Sequence, residues 1–151
     1  MYENLKKRLV REEGKKLKKY RCTAGHWTIG IGHNLDSEPY FHGAKIPAVI
    51  TDEECDAIFV HDVAEAEKGL QRTWPEFRKI EGVRRDALIE MSFQLGSSGV
   101  MNFHDMINAV NHGDWTKAYQ EALDSKWATI ETPERARRVV SQFLTNRYCK
   151  E

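Results

Sequence analysis

Apolar residues recur at helical spacing near the beginning of the chain. Leu5, Leu9 and Val10 share one face of an ideal helix, and Gly14 stands where a glycine commonly follows a helix C-terminus. The pattern predicts an amphipathic helix over residues 3–13. Its apolar face must pack against a later part of the chain.

The next part of the chain has the short apolar and aromatic runs that are typical of β-strands. Residues 17–20 and 26–31 flank Gly25 and predict a small antiparallel sheet. A three-residue loop centred on Gly25 would place Cys22 directly opposite Thr28 across the hairpin.

Most of the remaining chain is predicted to be helical. Residues 36–50 form a connection, after which Thr51 and Glu54 make a capping box that opens a helix ending near residue 70. Thr132 is the predicted N-cap of the last helix, with Pro133 at its first position. The predicted later helices cover residues 82–95, 102–111, 114–123 and 134–144.

These elements predict an α+β fold that is mostly helical, with a small antiparallel β-region. The sequence shows no internal repeat and no interdomain linker, so we expect one domain over residues 1–151. Within it we expect a β-containing lobe at about residues 14–60. Residues 1–13 and 70–151 would form the helical lobe.

Composition narrows the classes of function. Lys and Arg balance Asp and Glu at 23 each, which gives no reason to expect a nucleic-acid partner. No apolar run approaches the ~20 residues that span a bilayer, and charges interrupt the first nine residues, so neither a membrane anchor nor a signal peptide is expected. The spacing of the cysteines and histidines predicts no metal site and no cofactor.

Glu13 is a candidate general acid. On an ideal helix it lies about 25° from the centre of the apolar face, whereas Glu12 lies about 75° away. A carboxyl group that is desolvated at a helix C-terminus favours its protonated form. A helix-terminal glutamate that simply reaches water is the common alternative.

Cys22 and Thr28 are candidates for the second half of a glycoside hydrolysis. That reaction needs a proton for the leaving oxygen and, on the other face of the sugar, a base for water or a nucleophile. Taken alone, a cysteine in a hairpin is more commonly a small buried filler. Geometry by itself therefore leaves its role open.

The order Glu13, Cys22, Thr28, followed by Ile29-Gly30-Ile31-Gly32-His33, resembles the active-site signature of the phage-type lysozymes, glycoside hydrolase family 24. The resemblance continues through Val83 to Ile89, Phe93 to Gly96, and Thr132 to Ala136. It implies a lysozyme-like fold with a cleft between its lobes. It also implies hydrolysis of the β-1,4 bond between N-acetylmuramic acid and N-acetylglucosamine in peptidoglycan.

By this resemblance Glu13 protonates the glycosidic oxygen, the second position acts on water, and Thr28 holds that water. The second position is usually aspartate in the family, and here it is Cys22. A Cys22 thiolate could take a proton from the attacking water, with inversion, or attack the sugar itself, with net retention. We favour the water route.

The resemblance also suggests supporting roles. Arg135 matches an arginine that pairs with the catalytic glutamate, and His33 with Asp62 matches a structural ion pair. Gly32 is expected to let the backbone approach the sugar. Two substrate contacts are expected from Phe93 and Gln94.

The resulting hypothesis is a monomeric endolysin that is stored in the host cytoplasm and released through a lesion made by a holin. A lytic transglycosylase is the nearest rival enzyme, because it needs a single acid/base group. A noncatalytic wall-binding or phage structural module is a rival from another class. A local basic cluster could face anionic cell-wall peptide or polymer, although a solvated helix face is the commoner explanation; it consists of Arg135, Arg137 and Arg138, with Lys126 nearby.

Overall fold

The computed structural model describes residues 2–150 and is mostly helical with a small antiparallel sheet, as predicted. It divides into two compact units, one ending at Ala64 and the other beginning at Glu65. The first helix belongs to the first unit. The lobe boundaries proposed above, and the cleft between the lobes, stay predictions.

The first helix, α1, covers Glu3–Glu13, and its predicted bounds are confirmed. Leu5 and Leu9 are fully buried, because their spacing puts both on the face that packs into the unit. Gly14 ends the helix with a φ of 82° and donates its N–H to the Val10 carbonyl at 2.8 Å. A residue with a Cβ would be strained in this conformation.

Five short strands follow, in two antiparallel sheets. The larger sheet contains the first three strands in chain order, and the smaller one is a hairpin of the last two that was not predicted within the connection. The strands are β1 (Lys16–Arg21), β2 (Trp27–Gly30), β3 (His33–Asn34), β4 (Tyr40–Phe41) and β5 (Ala44–Lys45).

The predicted pairing of Cys22 with Thr28 is wrong. Tyr20 is the partner of Thr28, and the Cys22 N–H donates to the carbonyl of His26 at 2.9 Å. The loop is therefore centred on Ala24, one residue earlier than expected. Cys22 and Thr28 are diagonal neighbours, which still places them on one face of the hairpin.

Helix α2 covers Asp52–Thr73 and begins with the predicted capping box. The Thr51 hydroxyl accepts the Glu54 N–H at 3.1 Å, and the Glu54 carboxylate accepts the Thr51 N–H at 2.9 Å. The helix runs three residues past its predicted end near residue 70. Trp74, its next neighbour, is 1% exposed and donates its indole N–H to Asn111 at 2.7 Å.

The second unit contains four further helices, and the prediction located each of them to within a few residues apart from the last six residues of the helix that begins at Gly82. The first of these is broken at Gly96, whose φ of 76° and ψ of 161° are not helical. A 3₁₀ turn at Pro75–Lys79 and a π-helical turn at Trp127–Glu131 were not predicted. The helices are α3 (Gly82–Met101), α4 (His104–Asn111), α5 (Trp115–Leu123) and α6 (Pro133–Thr145).

Thr132 precedes α6 as predicted, but its side chain makes no capping hydrogen bond there. Its hydroxyl accepts instead from the Gln94 side chain, as described below. Within residues 2–150, none of the helices combines the length and apolar content that crossing a membrane requires.

Candidate active site

Glu13, the last residue of α1, packs directly against the backbone of Gly32. A Cβ placed on Gly32 would lie 3.0 Å from Cβ, Cγ and Oε1 of Glu13, which is tighter than most real Cβ contacts and would require the Glu13 side chain to shift. Gly32 has a φ of +67°, so its conformation also favours glycine. The glutamate side chain thus lies against a flat stretch of main chain after β2.

Helix geometry predicted that Glu13 lies nearer the apolar face than Glu12, but the structure buries the Glu12 side chain as well. Glu13 is half-buried, but the Glu12 side chain is only 3% exposed and accepts a hydrogen bond from Arg8 at 3.1 Å. The Arg8 side chain is itself 3% exposed, so the two form a buried i,i+4 ion pair. This ion pair allows the Glu12 carboxylate to be buried although helix geometry places it about 75° from the centre of the apolar face.

The sulfur of Cys22 lies in the hairpin loop among hydrogen-bond donors. The backbone N–H of His26 lowers the pKa of the thiol most strongly, and partial desolvation opposes that effect. The Thr28 hydroxyl and the N–H groups of Ala24 and Gly25 lower the pKa further. The net effect is a lowered pKa, which favours the thiolate as base or nucleophile.

Thr28 has one hydroxyl proton and two candidate acceptors. The hydroxyl donates to the His26 carbonyl at 2.9 Å, and it also lies within hydrogen-bonding reach of the Cys22 sulfur. When the thiol is neutral the hydroxyl donates to the carbonyl, whereas a thiolate attracts the hydroxyl hydrogen bond to sulfur. Thr28 is 5% exposed, so its position is held by the sheet.

Tyr20 links Glu13 to the hairpin. Its ring lies opposite Thr28, and its pKa is raised by burial and then by the negative charges of Glu13 and Cys22. Both groups therefore lie close enough to Tyr20 to act on it. The structure brings the three predicted catalytic residues to one region of the first unit.

Residues 10–151 match the family described as phage lysozyme. The chain belongs to the phage lysozyme family. The signature around Glu13, Cys22 and Thr28 is thus found in a chain whose similarity to the family covers nearly its full length.

Individual relatives agree with this assignment. The chain is 36% identical to the pre-baseplate central spike protein of Enterobacteria phage T4, over 91% of this chain but only 27% of the spike protein. It is 30% identical to probable T4-type lysozyme 1 of Dictyostelium discoideum, over 96% of each chain. It is also 30% identical to an endolysin of Acyrthosiphon pisum secondary endosymbiont phage 1, over 80% of this chain and 74% of that protein.

His33 and Asp62, a predicted supporting pair, lie in contact in the structure. The imidazole Nδ1 is 2.7 Å from the Asp62 carboxylate, and Nε2 is 2.8 Å from the Glu38 carbonyl oxygen. Burial lowers the pKa of His33, but the hydrogen bond and charge of Asp62, helped by Glu38, outweigh it and raise the pKa overall. The pair ties the loop after β3 to α2.

The Gln94 amide is engaged within the second unit. Its nitrogen donates to the Thr132 hydroxyl at 3.0 Å, and its oxygen accepts the indole N–H of Trp127 at 3.1 Å. Gln94 therefore holds α3, the π-helical turn and the start of α6 together. Its neighbour Phe93, also a predicted sugar contact, is half-buried.

A cavity of about 460 Å³ adjoins this network. Trp127 lines it and packs edge-to-face against Phe103, with ring centroids 5.8 Å apart. Gln94 thus orients one wall of a cavity that is large enough for a sugar-sized group. Arg135 lies half-buried in the first turn of α6, and its predicted pairing with Glu13 stays a prediction.

A mixed cluster of ionisable side chains lies beside the His33 pair. The ligand atoms of Glu38, His61 and Asp62 all lie within 4.8 Å of one another. Glu38 is exposed and His61 is half-buried, and His61 Nε2 is 3.7 Å from the Glu38 carboxylate. This geometry suits a surface ion-pair network, and we assign it no part in catalysis.

Two features of the site were missed from the sequence. The role of Gly32 as a surface for Glu13 depends on a contact between residues 19 positions apart. The donors around Cys22 depend on the loop register, which was placed one residue too late. The glycine-rich run after Thr28 was the one signal in the sequence that could have indicated the contact between Gly32 and Glu13.

Proposed function

We propose that this chain is an endo-acting muramidase that hydrolyses the β-1,4 bond between N-acetylmuramic acid and N-acetylglucosamine in bacterial peptidoglycan. The observation that carries the proposal is the gathering of Glu13, Cys22 and Thr28 in one region of the first unit. Membership of the phage lysozyme family supports the choice of substrate. The relatives named as lysozymes and as an endolysin support it further.

In this mechanism Glu13 donates a proton to the glycosidic oxygen as the bond to the anomeric carbon breaks. The backbone of Gly32 limits the conformations that the Glu13 side chain can take. A carboxyl group held in one place loses less entropy in reaching the transition state.

Cys22 supplies the second function as a thiolate. It takes a proton from a water molecule whose oxygen attacks the anomeric carbon, and Thr28 orients that water. Each proton is accounted for, since one leaves Glu13 and one arrives at Cys22. The donors that lower the pKa of Cys22 are the feature that makes sulfur suitable for this step.

The decisive experiment compares the native chain with Glu13→Gln on purified sacculi, followed by turbidity. We expect the substitution to reduce the rate about 10³-fold, within the range of general acid catalysis. Equal rates for the two proteins would refute the proposal. NMR of the first-formed anomer then separates attack by water, which inverts the configuration, from attack by sulfur, which retains it.

Mass spectrometry of the products tests the rival enzyme. A muramidase leaves reducing ends, whereas a lytic transglycosylase leaves anhydro-muropeptides. Binding to sacculi without any products would instead indicate a noncatalytic module.

We further propose that the protein acts as an endolysin, stored in the host cytoplasm and passed to the wall through a lesion made by a holin. A monomer without cofactor or nucleic acid would suffice for this role. The likeness to a central spike protein favours a second setting, in which the same catalysis belongs to a phage particle. Mass spectrometry of purified virions distinguishes the two, because an endolysin is absent from the particle.

A further inference from the structure

Strand β1 carries an unusual concentration of exposed positive charge. Lys16, Lys18, Lys19 and Arg21 are all exposed, and we call these four residues the basic strand. The chain as a whole has a formal net charge of zero, so this is a local excess. A local excess attracts anions even where the whole protein does not.

The basic strand is not neutralised by neighbouring acids. Within the described part of the chain, no carboxylate lies within ion-pair distance of its four residues. Nearby Lys6 and Lys15 differ, since they pair with Asp56 and Asp52 respectively. The sequence offered no means of separating these paired lysines from the unpaired ones.

Aromatic rings hold three of these cations instead. The Lys16 ammonium lies 4.4 Å from the centroid of the Tyr20 ring. Lys19 and Arg21 lie 4.7 and 4.4 Å from the centroid of Trp27. A ring orients a cation without cancelling its charge, which reduces the entropy lost when an anion binds.

The position of the basic strand relates it to the candidate catalytic residues. Arg21 directly precedes Cys22, and Tyr20 lies opposite Thr28. Lys16 packs on Tyr20, which shares a face of the hairpin with Cys22, whereas Lys19 and Arg21 pack on Trp27 on the opposite face. At about 3.3 Å per residue the whole strand extends only about 16 Å. A polymer whose glycosidic bond lies at Cys22 would therefore have its neighbouring groups within reach of these charges.

We propose that the basic strand binds the carboxylate groups of the stem peptides in peptidoglycan. The proposal rests on the proposed function, because the stem is attached to the muramic acid whose bond would be cut. Three of the four cations are lysines, which act as compact point charges, and the Arg21 guanidinium already donates to the Gly25 carbonyl at 2.9 Å. Lysine point charges bind carboxylates and phosphates alike, so the choice of stem-peptide carboxylates rests on the substrate of the proposed function.

The test measures sedimentation with intact sacculi in the Glu13→Gln background, so that binding is observed without digestion. The four residues of the basic strand are changed together to Gln. The control changes four exposed cations of the same composition, which also make no ion pair in the described structure: Lys7, Arg78, Lys79 and Lys117. Both variants lose four positive charges.

We expect the basic-strand variant to bind at least about tenfold more weakly at low salt, and the control to change less than about twofold. Binding by the parent should also weaken more steeply with added NaCl than binding by the basic-strand variant does. On sacculi whose carboxylates have been converted to neutral amides with a carbodiimide and an amine, the parent and the basic-strand variant should bind equally. Equal binding by basic-strand and control variants on intact sacculi would overturn the proposal.

A difference that persists on amidated sacculi would also overturn it and would point to phosphate-bearing polymers. Circular dichroism and thermal unfolding check that each variant is folded. If the fourfold variant does not fold, the pair Lys16→Gln and Lys18→Gln is compared with Lys7→Gln and Lys117→Gln. Binding is measured without turnover, whereas hydrolysis is measured with the native chain. A failure of the binding proposal can therefore be distinguished from a failure of the proposed function.

Discussion

The two units use polar side chains in opposite ways. Around Cys22 in the first unit, several donors converge on one half-buried sulfur that is open to a reacting molecule. Around Gln94 in the second unit, the amide oxygen and nitrogen are both bonded to neighbouring side chains. The first arrangement leaves the Cys22 sulfur available for reaction, and the second makes one wall of the cavity beside Trp127 rigid.

This difference indicates where substitutions should alter chemistry and where they should alter stability. A group with converging donors changes its protonation when they are removed. A group in a closed network leaves its partners unsatisfied when it is removed. Four predictions test the distinction, from the largest expected effect to the smallest.

The largest effect is expected for Cys22→Ala, which removes the proposed base. The rate on sacculi should fall about 10²- to 10⁴-fold with little change in thermal stability. Cys22→Asp should keep activity, because a carboxylate can take the same proton. The rising limb of its pH–rate profile should move to lower pH, since a carboxyl group ionises well below a thiol. Full activity in Cys22→Ala would remove the residue from the mechanism.

The second prediction concerns the surface on which Glu13 lies. Gly32→Ala should reduce kcat about 100-fold, because the new Cβ must displace the Glu13 side chain and small displacements of a catalytic group are costly. Gly30→Ala is a matched control, since its φ of +65° imposes similar strain and its Cβ would meet only Cys55 and Ile50, at 3.4 and 3.8 Å.

Both glycine variants should lose comparable thermal stability, so the comparison isolates the contact with Glu13. A similar fall in kcat for both would attribute the effect to backbone strain alone.

The third prediction concerns His33 and Asp62, a buried pair in the first unit that resembles the closed network of the second. Asp62→Asn should lower the free energy of unfolding by about 2 kcal/mol near pH 6, since a hydrogen bond to a charged group is lost. His26, which lies 3.4 Å from Asp36 on the surface, is the control, and His26→Asn should cost less than about 0.5 kcal/mol.

The same pair should make stability depend on pH. The pKa of His33 is raised in the folded state, so its contribution is fully present below the unfolded value of about 6.5. It should be lost as the pH rises through the folded pKa. Urea unfolding of the native chain from pH 5.5 upward measures this loss, and Asp62→Asn should flatten the curve. An equally steep curve in that variant would contradict the assignment.

The smallest effect is expected for Gln94→Met, which removes both hydrogen bonds but keeps the volume. We expect a loss of about 1 kcal/mol in the free energy of unfolding, because the Trp127 indole N–H is left without its acceptor. Gln120→Met on the exposed face of α5 is the control and should be neutral. If Gln94 contacts sugar directly instead, KM should rise with stability unchanged.

The sequence by itself determined the parts of this protein that depend on neighbouring residues. The bounds of α1, its glycine end at Gly14, and the capping box of Thr51 and Glu54 follow from spacing over a few positions, because helix periodicity and capping act locally. The order and spacing of Glu13, Cys22 and Thr28 were likewise enough to indicate the family.

Only the tertiary structure decided the features that join distant residues. The partner of Thr28 in the sheet, the packing of Glu13 on Gly32 and the closed network around Gln94 each depend on contacts that no local pattern encodes. The same is true of the charges on β1, since a lysine is exposed and unpaired only when the fold brings no acid to it. Spacing along the chain sets which groups are available, but their surroundings in three dimensions set their protonation, orientation and reach.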